Sequence, residues 1–365
     1  MDKDHYLELK HKRLITYMQI ASAVAGALVL ATAFPPLFFQ TTFGLIVVNN
    51  MTFALFFAVL IGYLHTEIIN TEKEMNPKKE KKQDDELMEW QKSLGLVLLA
   101  VLICAFFFYY APNSNSSLSL QVKNPAIWQF FTASFIHQNE IHLLGNMFVF
   151  VIAALFQIYI AEKSDRSRIF FKSLAVIILL IPIIDSLFQK FVLTAILPNY
   201  QASMGFSGVA AATLGLIPFT IFSYLYSKGL SRNFSKEFMW AAALLNSTFY
   251  FLIYATKSGI LFLYIFFILA IAGFLYLVLK DKKRFFETID IVKNEKDRLL
   301  WGALAAATII FVIFAPLILY PENFVQGNNF TDFLTHAISL MAGIFIGYFA
   351  FELDTPANPK KTEAR

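Results

Sequence analysis

Residues 14–66 contain no Asp, Glu, Lys or Arg, and that run decides the solvent in which the chain folds. The hydrocarbon core of a bilayer is about 30 Å thick and is crossed by about 20 apolar residues in a helix. The run therefore holds two crossings. Charged residues make up 15% of the 365-residue chain and hydrophobic ones 57%, against about 25% charged in an ordinary soluble domain. A typical soluble protein is excluded. The net charge of +4 is small, and in a membrane chain the placement of Lys and Arg matters more than their sum, so nucleic-acid binding gains no support. The one cysteine, Cys104, lies in the apolar run LVLLAVLICAFFFYY. It can form neither an internal disulfide nor a cysteine metal cluster, and it reads as a buried structural thiol.

Apolar runs bounded by charge or turn residues predict ten helices: 14–34, 43–64, 93–110, 141–161, 168–190, 206–227, 238–256, 259–280, 299–319 and 333–351. Lipid offers no partner to backbone N–H and C=O groups, and these runs are too long and continuous for barrel strands. The predicted fold is an all-α polytopic bundle. Lys and Arg collect on the cytoplasmic side. With both termini placed inside, 27 of the 30 Lys and Arg fall in inside segments, and only Lys123, Lys190 and Lys257 fall outside. One missed or invented helix would scramble that partition. The segment around 71–92 is charged with mixed sign and reads as a cytoplasmic linker. It separates a two-helix extension, 1–70, from a larger unit, 93–351, followed by a tail at 352–365. PPLFFQ after the first run lacks a small-residue cleavage site, so the first helix reads as a span rather than a signal peptide.

Polar side chains at membrane depth are expensive, so each one poses a functional question. In FIHQNEIHLLGNMFVF, His142 and Asn146 are four apart and share a helix face. His137 lies in the approach to that helix. In SMGFSGVAAATLG, Gly205 and Gly208 allow a sharp turn and leave the Ser207 hydroxyl at the mouth of a helix. In THAISLMAGIFIG, His336 stands one turn inside the last helix, above a small-residue stripe of Ser339, Gly343 and Gly347. Ala211 and Gly215 form a second such stripe below Ser207. Small stripes let helices approach closely in lipid, so packing one on the other is predicted to bring hydroxyl and imidazole together. A serine needs a base within hydrogen-bond reach to act as a nucleophile, and a developing oxyanion needs donors. Each residue alone has an ordinary structural explanation. All four groups at one depth do not.

This constellation resembles that of the rhomboid family of intramembrane serine proteases: H-x4-H-x3-N on one helix, G-x-S-G opening another, and a His followed by small residues on the last. The resemblance spans roughly 93–351. It implies a Ser207–His336 dyad, with His336 as general base, and an oxyanion site formed by Asn146, His142 and the backbone at Gly205–Ser207. His137, Gly208, Ser339 and Gly343 would be structural supports. The implied substrates are transmembrane helices of other proteins, cut after local unwinding in contact with membrane lipid, with neither metal nor organic cofactor. Three residues depart from the family pattern. Gln129 follows Trp128 where the family has Arg, Ala211 stands where an aromatic is common four residues after the nucleophile, and Ser339 replaces a usual Gly. Three predicted helices, rather than one, separate the Ser and His helices.

Two other functions fit a chain of this kind. One is a catalytically silent rhomboid-like protein that binds or routes transmembrane helices. The other is a transporter, which calls for broken helices or paired charges near mid-membrane, whereas the clearest embedded acid, Asp185, lies near a helix end. Zinc and aspartyl intramembrane proteases lack their motifs here, since neither H-E-x-x-H nor a G-x-G-D pair occurs. The charge pattern predicts a multi-pass protein of a plasma membrane with the site opening outward, and a composition rich in Lys and Phe is compatible with a bacterial source.

Overall fold

The computed structural model describes residues 6–14, 16–17, 67–68, 71, 75, 80–110, 115–196, 202–231, 233–234, 236–237, 239–241, 243, 261–314, 325–326, 329–330 and 333–353. The predicted helices 14–34, 43–64 and 238–256 lie largely outside the described residues, as does the tail after 353.

The described residues form a helical bundle. Its main elements are α1 (Glu80–Tyr110), α2 (Glu140–Lys163), α3 (Ser167–Phe188), α4 (Ser207–Gly215), α5 (Ile217–Ser227), α6 (Leu261–Lys280), α7 (Lys282–Lys293), α8 (Arg298–Ile309) and α9 (Phe333–Leu353). Among the described residues, four stretches are long and apolar enough to cross a membrane: Glu89–Tyr109, Glu140–Lys163, Ser167–Val192 and Ser207–Ser227. The stretches Ile271–Lys280, Arg298–Val312 and Thr335–Phe351 are shorter apolar helices. The structure differs from the sequence reading in three elements. Helix α1 begins at Glu80, so the second half of the charged 71–92 segment is helical. The predicted 299–319 helix is α-helical over Arg298–Ile309 and continues as a π-helix over Ile310–Phe314, with 315–319 outside the described residues. A further helix, α7, precedes it and is strongly amphipathic and charged.

Helices α4 and α5 form the centre. From Gly208 to Tyr226 every residue but Ile221 is buried, because α2, α3 and α9 pack around this rod. Pro218 in the first turn of α5 supplies no N–H, and the chain breaks at Leu216. A break in a lipid-facing bundle leaves backbone groups short of partners. Gln157 of α2 answers it: Nε2 donates to the Thr213 carbonyl at 2.9 Å, while Oε1 accepts from Thr220 Oγ1 at 3.1 Å. The joint between α2 and α3 is equally tight, with Asp165 in the left-handed region (φ 57°) and Arg166 N–H donating to the Ala161 carbonyl at 2.7 Å.

At the other end of the bundle a polar cluster ties the start of α8 to α2 and α5. Tyr224 donates its hydroxyl to Glu295, Lys228 pairs with the same carboxylate at 3.0 Å, and Tyr159 donates to Asp297 at 3.1 Å. Burial works to raise the Glu295 pKa, but the hydrogen bonds from Tyr224 and Lys228 outweigh it and hold the carboxyl down to about 2.

Candidate functional site

The segment before α2 is built as a scaffold. Gln129 Oε1 accepts from the backbone N–H groups of Gln121 and Ala126, at 3.2 and 3.1 Å, and its Nε2 donates to the Ser117 carbonyl at 3.0 Å. Trp128 Nε1 donates to the same carbonyl and Thr132 Oγ1 to that of Leu118. Lys190 reaches over from the end of α3 to the carbonyls of Val122 and Lys123. The Gln129 side chain, with both an acceptor and a donor, thus anchors this loop.

The chain leading to Ser207 is joined to that scaffold step by step. Strand β1 (Leu120–Gln121) pairs antiparallel with β2 (Ala202–Ser203). Gly205 N–H then donates to the Ala133 carbonyl at 3.0 Å, and Phe206 N–H points at His137 Nε2 at 3.4 Å. The Phe206 ring is fully buried and packs on Phe135 and Phe150, with centroids 5.6 and 5.0 Å apart. These contacts fix the residue before Ser207, which is the first residue of α4 and partly exposed.

Gly205 has φ +127°, a conformation that favours glycine. A Cβ there would lie 2.7 Å from His142 Cε1, 2.9 Å from His142 Nε2 and 3.6 Å from Asn146 Nδ2. The Gly205 turn therefore lies directly on the two side chains that the sequence placed on one helix face. His142 and Asn146 sit in the first two turns of α2, whose N-terminus is capped by Asn139 Oδ1 accepting from His142 N–H at 2.8 Å. His137 Nε2 faces two donors, Asn146 Nδ2 at 3.1 Å and Phe206 N–H, so the ring carries its proton on Nδ1. Burial, followed by the neighbouring His142, pushes the His137 pKa down to about 3. A His137 held neutral near pH 7 thereby orients the Asn146 amide, which keeps a second N–H for other work.

Helix α9 packs on α4 along small residues. A Cβ on Gly208 would lie 3.1 Å from Ser339 Oγ, one on Gly343 would meet the Ala212 carbonyl at 2.0 Å, and one on Gly347 would meet Leu216 at 3.1 Å. The pairs 208/339, 212/343 and 216/347 step by four on both helices, so the two run parallel in fixed register. Gly215 joins this seam against Leu340 and Ile344. The face that meets α9 is Gly208, Ala212 and Gly215. Of the predicted stripe, Gly215 meets α9 and Ala211 is fully buried; Gly343 lies against Ala212. In this register Ser207 is level with residue 338, so His336 stands about 3 Å nearer the N-terminal end of the pair than Ser207, at 1.5 Å per residue. His336 is buried at 9% exposure and lies within electrostatic reach of His142.

The structure thus brings Ser207, His336, His142 and Asn146 to the N-terminal ends of α4, α9 and α2, with Gly205, Gly208, Gly343 and His137 holding them there. A serine hydroxyl at a helix N-terminus can attack a carbonyl when an imidazole takes its proton and amide and backbone N–H groups donate to the oxyanion, and groups of all these kinds stand on the elements that meet at the Gly205–Gly208 turn. The sequence reading missed one participant: Asp185 of α3 is buried at 5% exposure and accepts a hydrogen bond from Ser339 Oγ at 2.5 Å. Its location in an otherwise apolar helix was the only signal available. Comparison with known protein families, with curated proteins and with solved structures gives no match to this chain.

Proposed function

We propose that this protein is an intramembrane serine endopeptidase of the rhomboid kind, which cuts transmembrane segments of other membrane proteins with Ser207 and His336. The observation that carries the reading is the Gly205–Gly208 turn, which lies against His142 and Asn146 on one side and against the His336 helix on the other. In this reading His336 accepts the Ser207 proton as Oγ attacks the scissile carbonyl. Asn146 Nδ2, the His142 ring and the Ser207 backbone N–H donate to the oxyanion. Collapse of the tetrahedral intermediate expels the amine, which takes the proton from His336. Water then attacks the acyl-enzyme by the same base, releasing the acid and restoring Ser207.

The substrate class follows from the resemblance and from the chemistry of a helical peptide bond. A helical peptide bond shields its carbonyl, so segments with helix-weakening residues near one membrane face are the ones that reach Ser207. The ten-helix topology with both termini cytoplasmic, in a bacterial plasma membrane, belongs to the same reading. So does a rhomboid-like core within 93–351. The partners are transmembrane-helix substrates and lipid. The test is a tagged single-span reporter in proteoliposomes. Cleavage within the span by the wild type, lost in Ser207→Ala and in His336→Ala, is expected. A folded wild type that never cuts a panel of helix-weakened spans, yet co-purifies with them, would overturn the protease reading in favour of a silent helix-binding protein.

A further inference from the structure

Asp185 is an acid in the apolar helix α3, where an ionisable side chain is costly and is kept for a reason. It touches both helices that bear the reacting groups. Oδ1 accepts from Ser339 Oγ at 2.5 Å, and Oδ2 fills the space beside Gly208, where a Cβ would lie only 1.7 Å away. Gly208 follows Ser207 directly. Ser339 is one turn below His336, and its hydroxyl also faces the Thr335 carbonyl at 2.7 Å, immediately before the imidazole. The residue that departs from the family's usual Gly, Ser339, and the acid that the sequence leaves without a role therefore meet each other. They do so between the two helices whose relative placement sets the distance from hydroxyl to imidazole.

We propose, on the footing of the protease reading above, that Asp185 is a positioning residue: through Ser339 and Gly208 it locks the His336 turn of α9 against the Ser207 turn of α4. The Ser339 hydroxyl has two acceptors within reach, the Thr335 carbonyl on its own helix and the Asp185 carboxylate; only the carboxylate ties α9 to α3, and an apolar side chain at 185 does not. The Gly208 position must stay without a side chain, so that the acceptor can enter between the helices. Asp185 touches no reacting atom in this scheme. Its effect runs through the placement of His336, and such an effect belongs in kcat rather than in substrate binding.

The experiment compares the full-length wild type with Asp185→Ala, Asp185→Asn, Ser339→Ala and the Asp185→Ala/Ser339→Ala double variant. Reporter cleavage in proteoliposomes gives kcat and KM, and thermal midpoints in detergent check the fold. Asp185→Ala and Ser339→Ala are each expected to lower kcat, on the order of 100-fold for a displacement of about 1 Å, with KM unchanged. The double variant should lose no more than either single one, because both break the same link. Asp185→Asn, which keeps an acceptor of the same shape, should recover most of the rate. Wild-type kcat in Ser339→Ala, or additive losses in the double variant, would overturn the proposal, as would Asp185→Asn falling as far as Asp185→Ala. If Asp185→Ala fails to fold, Ser339→Ala and Asp185→Asn decide the matter. A wild type that cuts nothing overturns the protease reading itself, an outcome distinct from an active wild type with indifferent variants.

Discussion

Gly343→Ala is the substitution for which the geometry gives the clearest magnitude. Its new Cβ would lie 2.0 Å from the Ala212 carbonyl oxygen and 2.8 Å from the Ala212 Cα. Both are backbone atoms of the central rod and cannot rotate aside. Restoring an ordinary contact of 3.4 Å requires α9 to withdraw from α4 by more than 1 Å, and overpacking of this kind costs about 1–3 kcal/mol. His336 is seven residues away on the same helix, so it moves with Gly343, and a misplacement of about 1 Å can cost on the order of 100-fold in rate. Gly347→Ala is the internal control. Its Cβ would meet only side-chain atoms of Leu216 and Phe219, at 3.1 to 3.4 Å, and these can give by a few tenths of an ångström. Reporter cleavage in proteoliposomes and thermal midpoints in detergent should therefore show Gly343→Ala crippled in rate and Gly347→Ala close to wild type. Equal rates for the two variants would refute the claim that the 212/343 contact sets the position of His336.

Gly205→Ala should abolish cleavage, because it strains a backbone at φ +127° and drives a methyl to 2.7 Å from the His142 ring; wild-type turnover would show that His142 has no part in the site. Gln129→Ala should destabilise the loop by about 1 kcal/mol for each of the two backbone N–H groups that lose their acceptor. Gln129→Arg should do no better, since a guanidinium accepts nothing, and a thermal midpoint for Gln129→Arg at the wild-type value would count against the scaffold role. The neutral His137 sets a pH dependence. Its folded pKa of about 3 lies below the unfolded value near 6.5, so its contribution is complete above pH 6.5 and is lost as pH falls toward 3. At pH 5 the loss is about 2 kcal/mol, at about 1.4 kcal/mol per pH unit. Thermal midpoints should fall from pH 7 to pH 5 in the wild type and fall less steeply in His137→Gln; parallel slopes would remove His137 as the cause.

What the sequence made legible was periodicity and local spacing. His142 and Asn146 at a four-residue interval had to share a face, and Ser339, Gly343 and Gly347 had to line one stripe, as they do against α4 and the start of α5. The close contact of Gly343 with Ala212 was not legible, because spacing from Ser207 fixes a face only to within one position on a helix of 3.6 residues per turn. Pairings across long separations were illegible for a different reason. Asp185 and Ser339 are 154 residues apart and Gln157 and Thr213 56 apart, and each looks, in sequence, like an isolated polar residue in an apolar run. The role of Gln129 was hidden too, because its three backbone partners, at Ser117, Gln121 and Ala126, lie in short elements and turns too brief to carry a period. Charge placement marked α7 as a polar segment, but its helical form came only with the Asp281 cap, which accepts from Arg284 N–H.

The central claim is that Ser207 is a nucleophile activated by His336, and the most direct measurement is the site of phosphonylation. The folded wild type in detergent is treated with a fluorophosphonate, digested and mapped by mass spectrometry, beside His336→Ala and Gly343→Ala. The account predicts a single adduct on Ser207 in the wild type, none in His336→Ala, and slow formation in Gly343→Ala. A folded wild type that takes up no label, or takes it up on another serine, or an adduct that forms as fast without His336, would contradict it.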